Sequence, residues 1–443
     1  MNKEQNSFHK SRRNEFSKLI GKDSIAIIFG STYKNKSYDG DYKFKQHKNF
    51  YYLTGFTEPN AAFVLAPGGV KLKTDGKENT YTEVLYVQKK DPFMETWNGK
   101  RLGHTNVKNE LGIENAFENE EIIKIFNPNI LKNYNRIYVN FGEMIKLTGE
   151  LKQITTMFVN GLNRIAANSE IIDTSYLLGK MRTIKTLFEI KQMQKASDIT
   201  IKSYNATMKM IKPGLNERQV QATLEYNYKY NGGESAYGAI VAGGENACIL
   251  HYENNNVELK SGELLLIDSA AEYEYYCSDI TRTLPVNGKF SKEQKTIYDI
   301  VLKANKECIK KMKPGVKWSS IRWDLSDKVL ADGLYKEGLL KNKKDIQKYS
   351  LHGVGHHIGL DTHDAVPSMK TFSTDNDTLR EGNVLTVEPG LYFTSDMKEI
   401  PLKFRGIGVR IEDDVLVTKE GCINLTKAMV KEVGEIETLM SGE

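Results

Sequence analysis

Lys212-Pro213-Gly214-Leu215 recurs 101 residues later as Lys313-Pro314-Gly315-Val316, and this pair of stretches decides the fold. Each follows a segment with helical spacing. Before the first, Phe188, Ile190, Met193, Ala196 and Ile199 predict a helix from Leu187 to about Ile211, stopped by the Pro-Gly breaker. Before the second, Ser291 and Gln294 form a capping box, and Ile297, Val301, Ala304 and Cys308 make the apolar face that follows. At the same shift Val220 meets Ile321, Leu224 meets Leu325, Gly232 meets Gly333 and His251 meets His352. A shift of 120 aligns Gly262 and Asp268 with Gly382 and Glu388, each acid closing an apolar β-prone run, LLLI in one and VLTV in the other. Helix, turn, helix, histidine and strand-end acid thus occur twice in the same order. Such a duplication predicts a pseudo-twofold domain with one site at its axis.

Upstream the pattern changes near Asp173–Arg182, which predicts two domains, 1–175 and 176–443. The first reads as α/β. Ser24–Gly30, Ala61–Ala66, Glu83–Gln88 and Arg136–Asn140 are short β-prone runs, while Ser11–Ile20 and Glu143–Ile165 have helical spacing. Gly68-Gly69 and Asp75-Gly76 are expected to mark turns. No catalytic constellation lies here, so this domain is expected to serve as scaffold, substrate-access wall and oligomer contact.

The whole-chain numbers exclude several classes. A formal charge of +5 on 119 charged groups in 443 residues does not argue for nucleic acid, and Lys runs such as Lys341–Lys344 read as a solvated face. No apolar run approaches the ~18 residues that span a bilayer, so no membrane partner is expected. The opening MNKEQNSFHKSRRNEF is polar, and Cys248, Cys277, Cys308 and Cys422 lack CxxC spacing; a cytoplasmic location without a disulfide framework is expected.

Chemistry concentrates in the second domain. Of eight histidines, four fall within HGVGHHIGLDTH, His352–His363, and a fifth is His251. Such clustering points to metal ligation or acid/base work, and Gly353, Gly355 and Gly359 would let a backbone approach a ligand closely. Asp268 and Asp279 lie on consecutive β-prone runs that a turn around Glu272–Glu274 would fold into a hairpin; Glu388 and Glu412 repeat the arrangement. Four convergent carboxylates in apolar surroundings repel one another unless cations sit among them. With His356 they make an oxygen-rich donor set that favours Mn²⁺ and exceeds what one catalytic ion needs, so two divalent ions are expected.

Asp268, Asp279, His356, Glu388 and Glu412 follow the ligand order of the pita-bread metallopeptidases, which this half of the chain resembles. GGENACILHYENN, LLIDSAAEYEYYCSDITRTLPVNGKFS, HGVGHHIGLDTHD, LTVEPGLYF and RGIGVRIEDDVLVT look most like the aminopeptidase P (Xaa-Pro aminopeptidase) family. FKQHKNFYYLTGFTEPNAAFVL and KDPFMETWNGKRLG are similar to that family's N-terminal domain. The resemblance implies an α+β chain, with a creatinase/aminopeptidase P-like α/β domain before a pita-bread catalytic domain. It implies a metal-dependent exopeptidase that releases the first residue from peptides with proline second, using a hydroxide held between two ions. Prolidase, which takes only Xaa-Pro dipeptides, is the alternative. It further implies that Asp268 chelates one metal, that Asp279 and Glu412 bridge, and that His356 and Glu388 bind the other. Glu388 would also shuttle a proton. His352 and His363 would position substrate and stabilise the intermediate, His251 would contact substrate near the scissile bond, and Tyr237 and Arg410 would support the site. Dimers or tetramers are common in the family. After His363-Asp364 the chain reads AVPSMKTFSTDND, a departure in a loop expected to face substrate.

Overall fold

The structure is a computed structural model that describes all residues except 1, 75, 145, 147–151, 153–155, 157–160, 162–167, 366–376 and 443. The chain divides into two compact units, Met1–Leu178 and Gly179–Glu443.

The first unit is built on a mixed sheet. Helix α1, Lys3–Ile20, starts at a capping box between Asn2 and Gln5. Strands β1 (Ser24–Phe29), β2 (Ala62–Thr74), β3 (Lys77–Val87), β4 (Ala116–Glu118), β5 (Arg136–Val139) and β6 (Glu170–Asp173) follow, in the sheet order β4-β3-β2-β1-β5-β6. Strand β1 pairs antiparallel with β2 and parallel with β5, and all six of its residues are buried. A strand covered on both faces reads as a continuous apolar run, which is why SIAIIF shows no alternation. Of Asp75-Gly76, Gly76 falls between the paired strands β2 and β3, with φ 78°, and Asp75 lies outside the described residues. Gly68-Gly69 does not turn the chain. β2 runs through it with a register shift between Leu65 and Val70, so the pair forms a bulge. A Cβ on Gly68 would lie 2.4 Å from the Lys22 carbonyl oxygen, so the backbone approach itself demands glycine. Most of the helix expected over Glu143–Ile165 lies outside the described residues.

In the second unit the duplication is visible atom by atom. Helix α2 (Leu187–Met208) is followed by α3 (Glu217–Tyr230). α2 ends three residues short of the expected Ile211, because Met210 and Ile211 donate to Thr207 and Met208 in a tighter exit turn. Gly214 and Gly315 both take the left-handed conformation, φ 87° and 85°. Gly214 N–H donates to Leu259 O and Gly315 N–H to Leu379 O, each at 2.9 Å. Leu259 and Leu379 are 120 residues apart and the glycines 101, so both repeat shifts appear in one hydrogen-bonding pattern.

Strands β7 (Ile240–Gly243), β8 (Leu264–Asp268), β9 (Ala271–Tyr273), β10 (Tyr276–Cys277) and β11 (Thr281–Pro285) come next, then helix α4 (Lys292–Lys311) with its Ser291–Gln294 capping box. Its partner helix differs from α3. It opens with a π-helical turn, Ser320–Leu325, before α5, Ser326–Lys336. β12 (Val384–Val387), β13 (Gly390–Phe393), β14 (Ile407–Arg410), β15 (Asp413–Val417) and β16 (Cys422–Asn424) complete the half. The sheets β7-β8-β11 and β12-β15-β16 are antiparallel. The two halves meet where Glu412 N–H donates to Thr281 O at 3.1 Å. Among the described residues no helix is long and apolar enough to cross a membrane. All four cysteines are free.

Candidate metal centre

Asp268 ends β8 and Glu388 follows β12 at the repeat-equivalent place. Between β8 and β11 the chain forms the expected hairpin. Tyr273 pairs with Tyr276, and Glu274 and Tyr275 both have positive φ, 47° and 71°, as a type I′ turn requires. The hairpin returns Asp279 beside Asp268, and one hydroxyl, that of Tyr237, lies 2.7 Å from Asp268 Oδ1 and 2.5 Å from Asp279 Oδ1. The hydroxyl has one proton to donate, so it serves the two carboxylates in turn. Burial, reinforced by Asp268 and Asp414, pushes Asp279 well above the usual carboxylate range. Glu412 is likewise pushed far up by burial, then by Asp279 and Glu388. Glu388 rises to about 8, mainly through burial.

These shifts express what the sequence anticipates: carboxylates crowded out of water, with too little positive charge among protein groups alone. Ligand atoms of Asp279, His356 and Glu412 all lie within 4.8 Å of one another. His356 Nε2 is 3.5 Å from Asp279 Oδ2 and 3.7 Å from Glu388 Oε1. His356 Nδ1 sits 3.1 Å from the His357 carbonyl, which can only accept; the proton is therefore on Nδ1, and the Nε2 lone pair faces the acids. Burial lowers the His356 pKa to about 4, keeping the ring neutral, as metal ligation requires. Thr281 Oγ1 donates to Glu412 Oε2 at 2.7 Å, fixing that carboxylate's rotamer. The donor set thus fits divalent cations in charge and orientation.

A second set of groups supports this one. Arg410 Nη2 donates to Asp268 Oδ2 at 2.6 Å and Nη1 to the Tyr392 hydroxyl at 3.0 Å; Tyr392 in turn lies 2.6 Å from His352 Nε2. His352 Nδ1 faces the Gly353 carbonyl at 3.0 Å and is 3.6 Å from Glu388 Oε2. His363 packs edge-on against His356, ring centroids 4.2 Å apart. All ten residues singled out in the sequence (Tyr237, His251, Asp268, Asp279, His352, His356, His363, Glu388, Arg410 and Glu412) line one cavity of about 810 Å³. Of the departing stretch 365–377 after Asp364, residues 366–376 lie outside the described residues.

Sequence reasoning missed several supports. Tyr392 is one. Glu217 is another: fully buried, its carboxylate accepts from Gly243 N–H, Asn246 Nδ2, the Tyr252 hydroxyl and Val257 N–H, and so ties both ends of the loop that carries His251. The glycines of the histidine cluster also admit close approaches within the protein. A Cβ on Gly355 would lie 2.1 Å from Thr386 O, on Gly353 2.1 Å from Arg322 Nε, and on Gly359 2.5 Å from Asp364 Oδ2. Gly353 and Gly355 line the cavity as well.

Asp364 anchors the His363 loop. Its carboxylate takes Arg182 Nη2 at 2.5 Å and Lys185 Nζ at 2.9 Å, with all three side chains at most 3% exposed. Despite burial, the two cations hold the Asp364 carboxyl well below the usual range. A depressed folded-state pKa means this contribution is complete above the unfolded value near 4 and is lost as pH falls below it. Asp364→Ala strands the buried Lys185 and leaves the buried Arg182 with Asp361 alone, so it should cost about 3–5 kcal/mol in denaturant unfolding. A loss within about 0.5 kcal/mol of zero would show that the clasp does not hold the loop.

Comparison with known proteins agrees with this geometry. Residues 191–419 match metallopeptidase family M24, and residues 9–138 match the aminopeptidase P N-terminal domain. The Xaa-Pro aminopeptidase of Haemophilus influenzae is 37% identical, over 98% of this chain and 96% of its own length. That of Escherichia coli is 34% identical, over 97% and 96%. The structure of Pseudomonas aeruginosa aminopeptidase PepP superposes with a TM-score of 0.88 at 34% identity, covering 99% of this chain and 98% of that one.

Proposed function

The chain belongs to metallopeptidase family M24 and carries an aminopeptidase P N-terminal domain, and from that premise we propose how its own residues perform the cleavage. It is a metal-dependent exopeptidase that hydrolyses the bond between an N-terminal residue and a following proline. The observation that carries the reading is the convergence of four buried or half-buried carboxylates and a neutral, oriented histidine on one cavity.

In this reading Asp268, His356 and Glu388, with Asp279 and Glu412 as the shared ligands, would hold two divalent ions, Mn²⁺ by the hardness of the donors. When bound, the ions supply an activated water near neutral pH and polarise the scissile carbonyl. The chain does the rest. Tyr237 and Arg410 hold Asp268 in place through its two oxygens. His363 and His251, both on the cavity wall, steady the carbonyl oxygen as it gains charge. Glu388, within reach of His352, delivers a proton to the prolyl nitrogen, a basic leaving group because it departs as a secondary amine. The substrate's free α-amino group binds beside the acids, which restricts cleavage to the first residue. A cytoplasmic site of action, in keeping with four free thiols, and assembly into dimers or tetramers complete the proposal.

Substrate length tests it. The enzyme should release the first residue from Xaa-Pro-Xaa tripeptides and longer peptides, and N-acetylation of the peptide should stop cleavage. Hydrolysis confined to Xaa-Pro dipeptides would make it a prolidase, and undiminished turnover of the acetylated peptide would exclude exopeptidase action.

A further inference from the structure

The duplication supplies an internal control for one buried carboxylate. Beside Gly214 and Gly315 the two halves build the same backbone arrangement. Leu259 N–H donates to Leu215 O at 2.7 Å, and Leu379 N–H to Val316 O at 2.8 Å. Asn216 bridges Glu258 as Lys317 bridges Thr378. Glu217 N–H donates to Val257 O at 2.9 Å, and Trp318 N–H to Asp377 O at 2.6 Å. Residues 214–217 and 315–318 keep the 101 shift, and 257–259 and 377–379 keep the 120 shift.

At the last of these positions the side chains differ in kind. Trp318 belongs to an apolar cluster with Ile321, Val354 and Val387 and lines the cavity. Glu217 carries a carboxylate and is fully buried. The second half forms the arrangement with no carboxylate at this place. The acid of Glu217 therefore serves something other than the backbone pairing.

Its partners say what. Oε1 accepts from Gly243 N–H at 2.7 Å and from Asn246 Nδ2 at 3.1 Å. Oε2 accepts from the Tyr252 hydroxyl and from Val257 N–H, each at 2.9 Å. A buried carboxylate is costly unless its lone pairs are met, and here four neutral donors meet them. Those donors bracket His251 in sequence, and Tyr252 is its neighbour. Leu250, His251 and Glu253 line the cavity, whereas Glu217 is not among the lining residues. One carboxylate thus fastens a stretch of cavity wall from behind.

Resting on the aminopeptidase reading above, we propose that Glu217 is a positioning residue that sets His251 where the scissile carbonyl oxygen gains charge. It acts through His251 and not on the substrate. Its loss belongs in kcat, because the contact it orients strengthens as the transition state forms.

The test uses the Mn²⁺-loaded full chain with Ala-Pro-Ala. Glu217→Gln sets an amide nitrogen against a backbone N–H, that of Gly243 or that of Val257, whichever way the amide turns. It should lower kcat by about 10- to 100-fold, the scale of a small misplacement of an oriented group, with KM within about twofold of wild type and metal content unchanged. Made in His251→Ala protein, the same substitution should lower kcat by less than about twofold, since the group it positions is gone. Tyr252→Phe removes one donor and leaves the carboxylate. It should show a smaller loss of the same pattern, and it carries the test if Glu217→Gln does not fold. Equal losses with and without His251, a loss carried by KM, or full kcat in Glu217→Gln would overturn the proposal. Wild-type protein that cleaves no Xaa-Pro peptide would instead overturn the aminopeptidase reading.

Discussion

Replacing Glu412 by Gln should empty the metal centre and lower turnover by about 10⁴-fold or more, on the scale at which each factor of ten is 1.36 kcal/mol of barrier. The substitution is chosen for its geometry. A glutamine oxygen can still accept the 2.7 Å hydrogen bond from Thr281 Oγ1, so the side chain keeps its place while losing its charge. As proposed, Glu412 and Asp279 would each serve both ions, so Glu412→Gln and Asp279→Ala should each lose more than one equivalent of metal by elemental analysis. Chelation of the wild-type protein should give the same inactivity, reversed by Mn²⁺. A second readout separates ligand loss from misfolding. In metal-free protein burial and the neighbouring Asp279 and Glu388 already disfavour a charge on Glu412, so a neutral amide suits the site, and metal-free Glu412→Gln should unfold at a denaturant concentration no lower than metal-free wild type. Metal-stripped wild-type protein that retained full activity would end the two-metal reading.

The histidines should divide by role. His352→Ala and His363→Ala should keep near-normal metal content and lose on the order of 10²–10⁴ in turnover, the range for proton-transfer and oxyanion groups. His356→Ala should lose metal. The structure gives the reason in tautomers. His356 presents an Nε2 lone pair to Asp279 and Glu388, whereas both ring nitrogens of His352 are engaged, by Gly353 O and Tyr392. His363 packs edge-on against His356 and lines the cavity. Tyr392→Phe should then reproduce part of the His352→Ala loss without touching metal content. If His352→Ala emptied the site and His356→Ala left it filled, the assignment of roles would be wrong even with the peptidase activity intact.

How much of this was legible in the sequence follows from what each residue's partners are. The Lys-Pro-Gly turns could be read because proline and a left-handed glycine leave local marks, and repetition at 101 residues made chance an unsatisfying account. The five acids and histidines could be read because strand-end acids after apolar runs are costly unless something charged meets them. Gly68-Gly69 misled because a glycine pair serves a bulge as well as a turn, and only the approach of Lys22 decides between them. β4 and β6 were missed because they are short and no residue in either is fully buried, so they carry little apolar pattern. Glu217 and Tyr392 gave no local signal at all. Their partners lie tens of residues away, and a buried glutamate on a helix reads in one dimension like any solvated one. The family resemblance carried the roles of individual histidines, which spacing alone did not distinguish.

The clasp on Asp364 bears on where the chain can be cut. Leu187, where the helical periodicity begins, is a natural place to start an isolated catalytic fragment, since all five metal-centre residues lie beyond it. Such a fragment would discard Arg182 and Lys185, and the carboxylate that fixes the His363 loop would be left in the interior with neither counter-ion. Its recourse is to take up a proton or to drag the loop out to water. A fragment beginning at Gly179 keeps both cations, and those eight residues should separate a shortened enzyme that turns over from one that binds metal and stalls.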